Sequence, residues 1–185
     1  MRSALPTLAS ELAADERTLR RAVSRGTVRC RRPSSRQLEL VEGERAYLRA
    51  HWPTLAALSQ ALRTEPNVRF AVLYGSVARG DERPGSDLDV LVDLREDTGR
   101  AALGLADRLE RTLDVPVDVA RLSHVRHSSP LLLLRALDEG RVLVDRDGAW
   151  PALRAERASV AATADHAAAV EAQAAADAFA ELLEG

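Results

Sequence analysis

The chain has 185 residues, a net charge of −2 at pH 7 and 46% hydrophobic residues, which indicates a globular protein of one or two small domains. All 26 basic residues are arginine, which excludes a Walker A lysine and Schiff-base chemistry. The single cysteine, Cys30, excludes an internal disulfide and fits a reducing, cytoplasmic compartment. No apolar run approaches the length of a membrane span, and we expect neither a signal peptide nor a membrane partner.

The N-terminal 36 residues are strongly basic, with nine arginines against three acidic residues. Residues 7–15 and 16–26 read as two short helices, and PSS at 33–35 reads as the tip of a hairpin. Together these elements resemble a winged helix-turn-helix over residues 1–42, whose second helix would enter the major groove of DNA. The arginines that would then face DNA are Arg17, Arg20, Arg21, Arg25, Arg31 and Arg32. Alternatively, these arginines only form the solvent-exposed face of an amphipathic helix pair and contact no DNA.

Residues 43–66 predict a helical linker between the basic segment and the rest of the chain. Its apolar residues recur at near-helical spacing, and they are Tyr47, Leu48, Leu55, Leu58 and Leu62. Proline removes a helical hydrogen bond, so we expect Pro53 to break this helix. Trp52 is expected to pack in a core rather than to stack on a nucleic-acid base.

Two apolar runs flank a short polar motif and predict a strand, a glycine-bearing turn, a short helix and a second strand. The first run, at residues 70–74, ends at a Gly-Ser pair. The second, at residues 88–94, begins within the Asp-Leu-Asp sequence at residues 87–89. Alternate residues of a strand point to the same face, so Asp87 and Asp89 would lie side by side. Two ionised carboxylates in that position repel each other.

A divalent cation would remove this repulsion, and Mg²⁺ prefers such hard oxygen ligands. A third acid, Asp118, lies in the apolar run at residues 115–122. If its strand pairs with the strand of Asp89, the two carboxylates would lie about 5 Å apart across the sheet. Three carboxylates around two metals about 3.5–4 Å apart would form a two-metal site.

At the other end of the motif, the glycine-bearing turn suits a phosphate. Gly75 lets the backbone approach closely, and Ser76 can donate its hydroxyl. Arg79 and Arg83 are near enough in sequence to add charge-assisted contacts. The alternative is an ordinary turn followed by a surface strand with solvated carboxylates.

Residues 68–147 resemble the minimal nucleotidyltransferase (MNT) domain of the DNA polymerase beta-like superfamily. The resemblance is carried by the Gly-Ser pair, ARG at 78–80, SDLD at 86–89 and Asp118. It implies an α/β (α+β) fold with a small mixed sheet flanked by helices over residues 67–148, and AMP transfer from ATP–Mg²⁺ to a hydroxyl. It also implies site roles: Asp87, Asp89 and Asp118 as metal ligands, Asp118 as base, and Gly75, Ser76, Arg79, Arg83 and Ser86 around the nucleotide. Asp114 is the alternative third acid, but the strand-like VDV sequence favours Asp118.

The rest of the chain predicts a helix at 97–114, a helix at 128–140 and a closing strand at 141–145. His124 and His127 fall in the preceding loop, and we assign them no role. Residues 149–185 form an Ala-rich, acidic tail. Three arrangements of this tail are compatible with the sequence: a helical pair covering the nucleotidyltransferase unit, a segment that orders on a partner, or a loosely packed helical tail.

Three functions are compatible with these features. MNT proteins of this kind pair with HEPN ribonuclease toxins and silence them by AMP transfer to a tyrosine, so the resemblance implies an antitoxin. A DNA-binding segment would suit autoregulation at an operator. The second function is a DNA-binding regulator that senses nucleotide without turnover, and the third is an aminoglycoside-type adenylyltransferase. The acceptor, the number of AMP units, the DNA site and the oligomeric state stay open.

Overall fold

The structure, a computed structural model, describes residues 4–34 and 37–184. The described residues form, in chain order, α1 (Ala4–Glu11), α2 (Glu16–Arg25), β1 (Cys30–Ser34), β2 (Gln37–Leu40), α3 (Glu44–Thr64), β3 (Val68–Tyr74), α4 (Gly75–Arg79), β4 (Leu88–Leu94), α5 (Gly99–Leu113), β5 (Val117–Arg121), α6 (Leu122–Ser128), α7 (Pro130–Glu139), β6 (Arg141–Asp145), α8 (Ala149–Ala155) and α9 (Arg157–Glu184). None of the described helices is long and apolar enough to cross a membrane.

A four-stranded mixed sheet in the order β5-β4-β3-β6 forms the centre of the fold. β3 runs antiparallel to both β4 and β6, whereas β4 and β5 run parallel. The predicted small mixed sheet flanked by helices is therefore confirmed. In the register of these strands, Tyr74 lies opposite Asp89, and Asp89 lies opposite Asp118.

Alternate residues of the sheet supply two apolar cores. On one face, Ala71 and Leu73 of β3 pack with residues of α3 and α5 and with Leu8 and Leu19 of the first two helices. On the other face, Phe70 and Val72 of β3 pack with residues of α7 and α8. This period of two follows from strand geometry, and it explains why β3 reads as an almost uninterrupted apolar run.

The N-terminal segment packs directly on the edge of this sheet. Val142 N of β6 donates to Gly26 O at 3.4 Å, and the Thr27 hydroxyl donates to Val142 O. Arg25 Nη1 donates to Leu143 O at 2.6 Å. Because the end of α2 covers β6, the described part of this segment shares a core with the rest of the chain. The division of residues 1–42 into a separate module stays a prediction.

Four predicted elements differ from the observed ones. α3 continues through Pro53, so the expected break is wrong: the apolar face that carries Trp52 and Leu55 stays buried in the core and outweighs one lost hydrogen bond. β4 begins at Leu88, so Asp87 lies just before the strand rather than inside it. His124 and His127 lie in α6, not in a loop. The first helix ends at Glu11 rather than at residue 15.

A buried ion pair joins the N-terminal segment, α3, α4 and β6. Arg141, which is 1% exposed, donates from Nη1 and Nη2 to the two carboxylate oxygens of Glu44 at 2.7 and 3.0 Å. The same guanidinium donates to Ala78 O at 2.8 Å and to Thr27 O at 3.2 Å, and it lies 3.5 Å from the centre of the Tyr47 ring. One side chain therefore holds four separate segments in place.

The predicted tail forms α8 and α9. α9 packs on α7, where Ala164 is buried, and Arg157 Nη2 donates to Asp138 Oδ2 at 2.8 Å. Further along the same helix, Val170 is 55% exposed. Whether the whole tail covers the fold, orders on a partner or is a loosely packed helix stays a prediction. The tip of the β1–β2 hairpin, which includes Arg36, lies outside the described residues.

Candidate active site

The Gly-Ser turn connects β3 to α4 and lies against the acidic strand β4. Gly75 adopts a φ of +75°, which favours glycine. A Cβ added to Gly75 would lie 2.0 Å from Asp89 Oδ2, well inside van der Waals contact. Only glycine therefore fits between the turn and the carboxylate, and the phosphate-type turn and the acid are in direct contact.

Asp89 is the most strongly perturbed acid of the site. Burial, the largest cause, and the charges of Asp87 and Asp118 together raise its pKa from 3.8 to about 6. Tyr74, its neighbour across β3 and β4, has a raised pKa because of burial and the nearby charge of Asp89. Three negative charges therefore converge where the ends of β3, β4 and β5 meet.

The donor set fits a divalent cation chemically. Among the described residues, no three His, Cys, Asp or Glu side chains form a ready-made metal cage. Asp118 lies directly opposite Asp89 across the two strands, and the charges of Asp118 and Asp87 contribute to the raised pKa of Asp89. Mg²⁺ prefers carboxylate oxygen ligands, and a bound cation would offset the repulsion that contributes to the raised pKa of Asp89. Asp89 and Asp118 are direct neighbours across the sheet, and Asp87 lies just before the start of β4.

A cavity of about 810 Å³ opens beside these acids, which is within the range of small-molecule sites. Its walls come from the end of β3, α4, the α6–α7 connection and α9. The lining includes Tyr74, Gly75, Ser76, Arg79, Asp89, Asp118, His127, Leu131, Arg135, Glu139 and Ala164. The fold therefore brings five of the predicted site residues, from three separate segments, to one cavity.

The carboxylate of Glu139 contacts groups that the sequence predicts to bind a phosphate. Glu139 was not among the residues predicted for the site. Its Oε1 accepts from Gly75 N at 3.1 Å, and both carboxylate oxygens lie 2.9 Å from Arg79 Nη1. Arg79 Nε also donates to Asp81 at 3.0 Å. Glu139 ends a helix more than 50 residues downstream, and no local spacing signals this contact.

Arg83 and Ser86 lie apart from the cavity. Ser86 Oγ accepts from Arg83 N at 3.0 Å, and Ser86 N donates to Arg83 O, so the two close a turn of the loop before β4. Neither lines the cavity, and neither does Asp87. A role for Arg83 or Ser86 at a nucleotide would require this loop to move, and it stays a prediction.

The predicted DNA-facing arginines fall into different environments. Arg17, Arg20 and Arg21 are exposed on α2, and Arg31 is exposed on β1, whereas the Arg32 side chain lies outside the described residues. Arg20 forms an ion pair with Glu16. Arg25 is half-buried against β6, and burial followed by the charges of Arg63 and Arg21 lowers its pKa. Arg25 thus packs partly on the sheet edge, and a contact of this arginine with DNA stays a prediction.

Replacing Gly75 with alanine should destabilise the protein and abolish its response to Mg²⁺. The left-handed backbone alone costs about 1–2 kcal/mol for a non-glycine residue, and the Cβ would push Asp89 Oδ2 out of position. Thermal unfolding with and without Mg²⁺ measures both effects.

The matched control is Gly85→Ala. Gly85 has a φ of +87°, but an added Cβ would meet nothing within 4 Å. This variant should lose similar stability from the backbone and keep the Mg²⁺ response. Equal Mg²⁺ responses in the two variants would contradict the contact between the turn and Asp89.

Comparisons with known proteins agree with this geometry. No curated protein matches the chain significantly. One chain of a toxin–antitoxin crystal structure with AMP-PNP is 24% identical with a TM-score of 0.52, over 68% of this chain and 97% of that chain. A chain of a mutant toxin–antitoxin complex, MntA–HpeT, is 23% identical with a TM-score of 0.52, over 68% of this chain and 97% of that chain. A chain of the rebuilt structure of a tri-AMPylated Shewanella oneidensis HEPN toxin with MNT antitoxin is 22% identical. Its TM-score is 0.50, over 70% of this chain and 98% of that chain.

At these identities the structural matches show the fold alone. The polymerase beta nucleotidyltransferase family matches residues 57–149, just over half of the chain, and these residues contain the Gly-Ser turn and all three acids. The chain belongs to the polymerase beta nucleotidyltransferase family.

Proposed function

We propose that this nucleotidyltransferase uses ATP and Mg²⁺ to transfer AMP to a hydroxyl of a HEPN-type toxin, and that it acts as the antitoxin. The observation that carries the proposal is the placement of the Gly75–Ser76 turn, Asp89 and Asp118 on the wall of one cavity of about 810 Å³. A cavity of that size accommodates a nucleotide. The family membership supports the reaction class, and the toxin partner is an analogy to the matched complexes.

Each residue of the site has a role in this reaction. Mg²⁺, when bound, supplies charge neutralisation at the phosphates and lowers the pKa of the attacking hydroxyl. Asp87, Asp89 and Asp118 would hold it, and Asp118 would take up the proton of the acceptor. The Gly75 N–H and the Ser76 hydroxyl would bind phosphate oxygens. The acceptor oxygen forms a bond to the α-phosphorus as the bond from that phosphorus to pyrophosphate breaks.

The rim of the cavity has a feature that favours a protein acceptor. Leu131 lines the cavity and is 52% exposed, at the start of α7. Exposed apolar side chains beside a site suit contact with a protein surface better than contact with a small polar sugar.

Transfer of label from α-labelled ATP tests the proposal. In lysate of the native host with Mg²⁺, the wild type should label one protein, and Asp118→Asn should label none. Label on a small molecule would favour the aminoglycoside-type reaction instead. No label on anything would contradict nucleotidyl transfer and favour a nucleotide-sensing regulator.

A second function, operator binding, is favoured by the arginine surface of α2. Arg17, Arg21 and Arg63 have no ion-pair partner among the described residues, and a second cavity of about 220 Å³ between α2 and α3 is lined by Arg21, Arg25 and Arg63. Uncompensated arginines attract phosphate, and such contacts depend strongly on salt.

Fluorescence anisotropy with DNA from upstream of the gene tests this second function. Arg17→Gln combined with Arg21→Gln should weaken binding and reduce the salt slope by about 2, because each phosphate contact contributes about one unit. The control, Arg111→Gln, replaces an exposed arginine of α5 without a described partner. Equal affinity for all three proteins would exclude this surface as the DNA contact.

A further inference from the structure

Glu139 connects α7 to the phosphate-type turn. Its carboxylate accepts from Gly75 N at 3.1 Å and lies 2.9 Å from Arg79 Nη1 through each oxygen. The side chain is 16% exposed, so these contacts are largely shielded from water. A backbone N–H and a guanidinium that converge on one point form an anion site, and here the anion comes from the protein itself.

The carboxylate of Glu139 lies at a site that already holds three acidic side chains. The charge of Glu139 raises the pKa of Asp89, in the same direction as the charges of Asp87 and Asp118. Glu139 therefore adds a fourth negative charge to an acidic site, and Arg79, the Gly75 N–H and the nearby charge of Arg29 offset it. A nucleotide phosphate brought in with a cation would satisfy the same donors without that repulsion.

We propose that Glu139 is an internal counter-ion that occupies a phosphate subsite and is displaced when a nucleoside triphosphate binds. This inference rests on the proposed function, because it takes the triphosphate as ligand. Glu139 touches neither reacting atom; it sets the affinity of the site, since every binding event must first break its contacts with Gly75 and Arg79.

The structure provides a second position for the displaced carboxylate. Arg135 lies one turn earlier on α7, lines the same cavity and has no ion-pair partner among the described residues. Residues four apart on a helix are neighbours, so Glu139 can reach Arg135 by side-chain rotation alone. The Arg29 guanidinium donates to the backbone carbonyl of Glu139 and holds the end of α7 in place during that rotation.

Equilibrium titration with a fluorescent, non-hydrolysable ATP analogue and Mg²⁺ tests the inference without turnover. Glu139→Gln keeps the size of the side chain and removes its charge, so it should bind the analogue about fivefold more tightly than the wild type. Asp138→Asn is the matched control, because Asp138 pairs with Arg157 and does not line the cavity. Its affinity should equal that of the wild type.

Two further variants show whether the effect passes through the proposed contacts. In an Arg79→Gln background, Glu139→Gln should raise the affinity for the analogue by less, because the ion pair between residues 79 and 139 is already broken. Arg135→Gln should weaken binding, because the displaced carboxylate loses its second partner. If Glu139→Gln fails to fold, Glu139→Asp replaces it, since the shorter side chain cannot reach both donors and should also bind more tightly.

The outcomes are distinguishable. A folded Glu139→Gln protein that binds the analogue as the wild type does, or more weakly, overturns the inference and makes Glu139 a structural brace for the turn. A wild type that binds no nucleotide at all overturns the proposed function itself. Tighter binding by Glu139→Gln, with Asp138→Asn unchanged, supports the inference, and the labelling experiment decides separately whether AMP is transferred.

Discussion

Replacing Asp89 by asparagine should stabilise the metal-free protein at pH 7 and abolish nucleotidyl transfer. Both effects have one cause, the negative charge of Asp89. This charge would bind the cation, and in the metal-free protein it destabilises the fold. We expect a loss of transfer of about 10³-fold or more, in the range seen when a group that stabilises transition-state charge is removed. Few single substitutions gain stability while losing this much activity, and those that do lie in functional sites.

The pH dependence follows from the direction of the shift. Burial and the neighbouring charges raise the pKa of Asp89 from 3.8 to about 6. The folded state therefore binds the proton more tightly than the unfolded state does. The stability that this proton provides is fully present below pH 3.8 and is lost as the pH rises through about 6. Asp89→Asn lacks this loss, so the difference in stability between the variant and the wild type should grow over that window and then level off.

The size of the gain is modest because Asp89 is partly exposed. A shift of this size corresponds to nearly 3 kcal/mol for a fully shielded group, and solvent screening reduces it to about 1 kcal/mol. Urea unfolding from pH 4 to 8 in the presence of a chelator measures it. Mg²⁺ should stabilise the wild type and leave Asp89→Asn unchanged, because the variant has lost a ligand.

Asp93→Asn is the matched control for Asp89→Asn. Asp93 lies on the same strand, near Arg69 at 3.5 Å, and does not line the cavity. It should show no stabilisation at pH 7 and should keep both the Mg²⁺ response and the transfer activity. If Asp89→Asn is less stable than the wild type in the metal-free state, the carboxylate is a structural group and the electrostatic account of the site is wrong.

The features that sequence predicted well are those set by local geometry. Alternation and turn residues located β3, the Gly-Ser turn and β4 to within about two residues, and the closing strand has the predicted bounds of 141–145. Strand pairing then places Asp118 opposite Asp89, as expected for neighbouring strands of one sheet. These features need only the periodicity of the backbone and the identity of one glycine.

The features that sequence could not predict depend on distant contacts. Glu139 reaches Gly75, and Glu44 reaches Arg141, across 64 and 97 residues of chain. Arg25 looks like an exposed cation from its helix alone, but β6 covers it. In each case the environment of the charge comes from tertiary packing, which overrides the local pattern.

Replacing Arg141 by methionine should destabilise the protein by about 3–5 kcal/mol, because it leaves the Glu44 carboxylate buried without its partner. Glu44 is 3% exposed and would keep only the N–H of Arg29, at 2.9 Å, as a described donor. The substitution also removes the hydrogen bond to Ala78 O in α4, next to the Gly-Ser turn. We therefore expect weaker binding of the nucleotide analogue in whatever fraction stays folded.

The compensating change separates the charge from the packing. Arg141→Met combined with Glu44→Leu removes both charges, and it should recover most of the lost stability, since apolar replacements of a buried pair are often neutral. Arg108→Met breaks a bidentate pair with Glu65 at the surface and should cost at most about 1 kcal/mol. Urea unfolding of the wild type, Arg141→Met, Glu44→Leu and the double variant measures the coupling in a double-mutant cycle, and Arg108→Met is measured beside them. If Arg141→Met and Arg108→Met lose equal stability, burial adds nothing to the Arg141–Glu44 pair. If the double variant recovers stability but not nucleotide affinity, the pair's contribution to the site passes through Ala78 and α4.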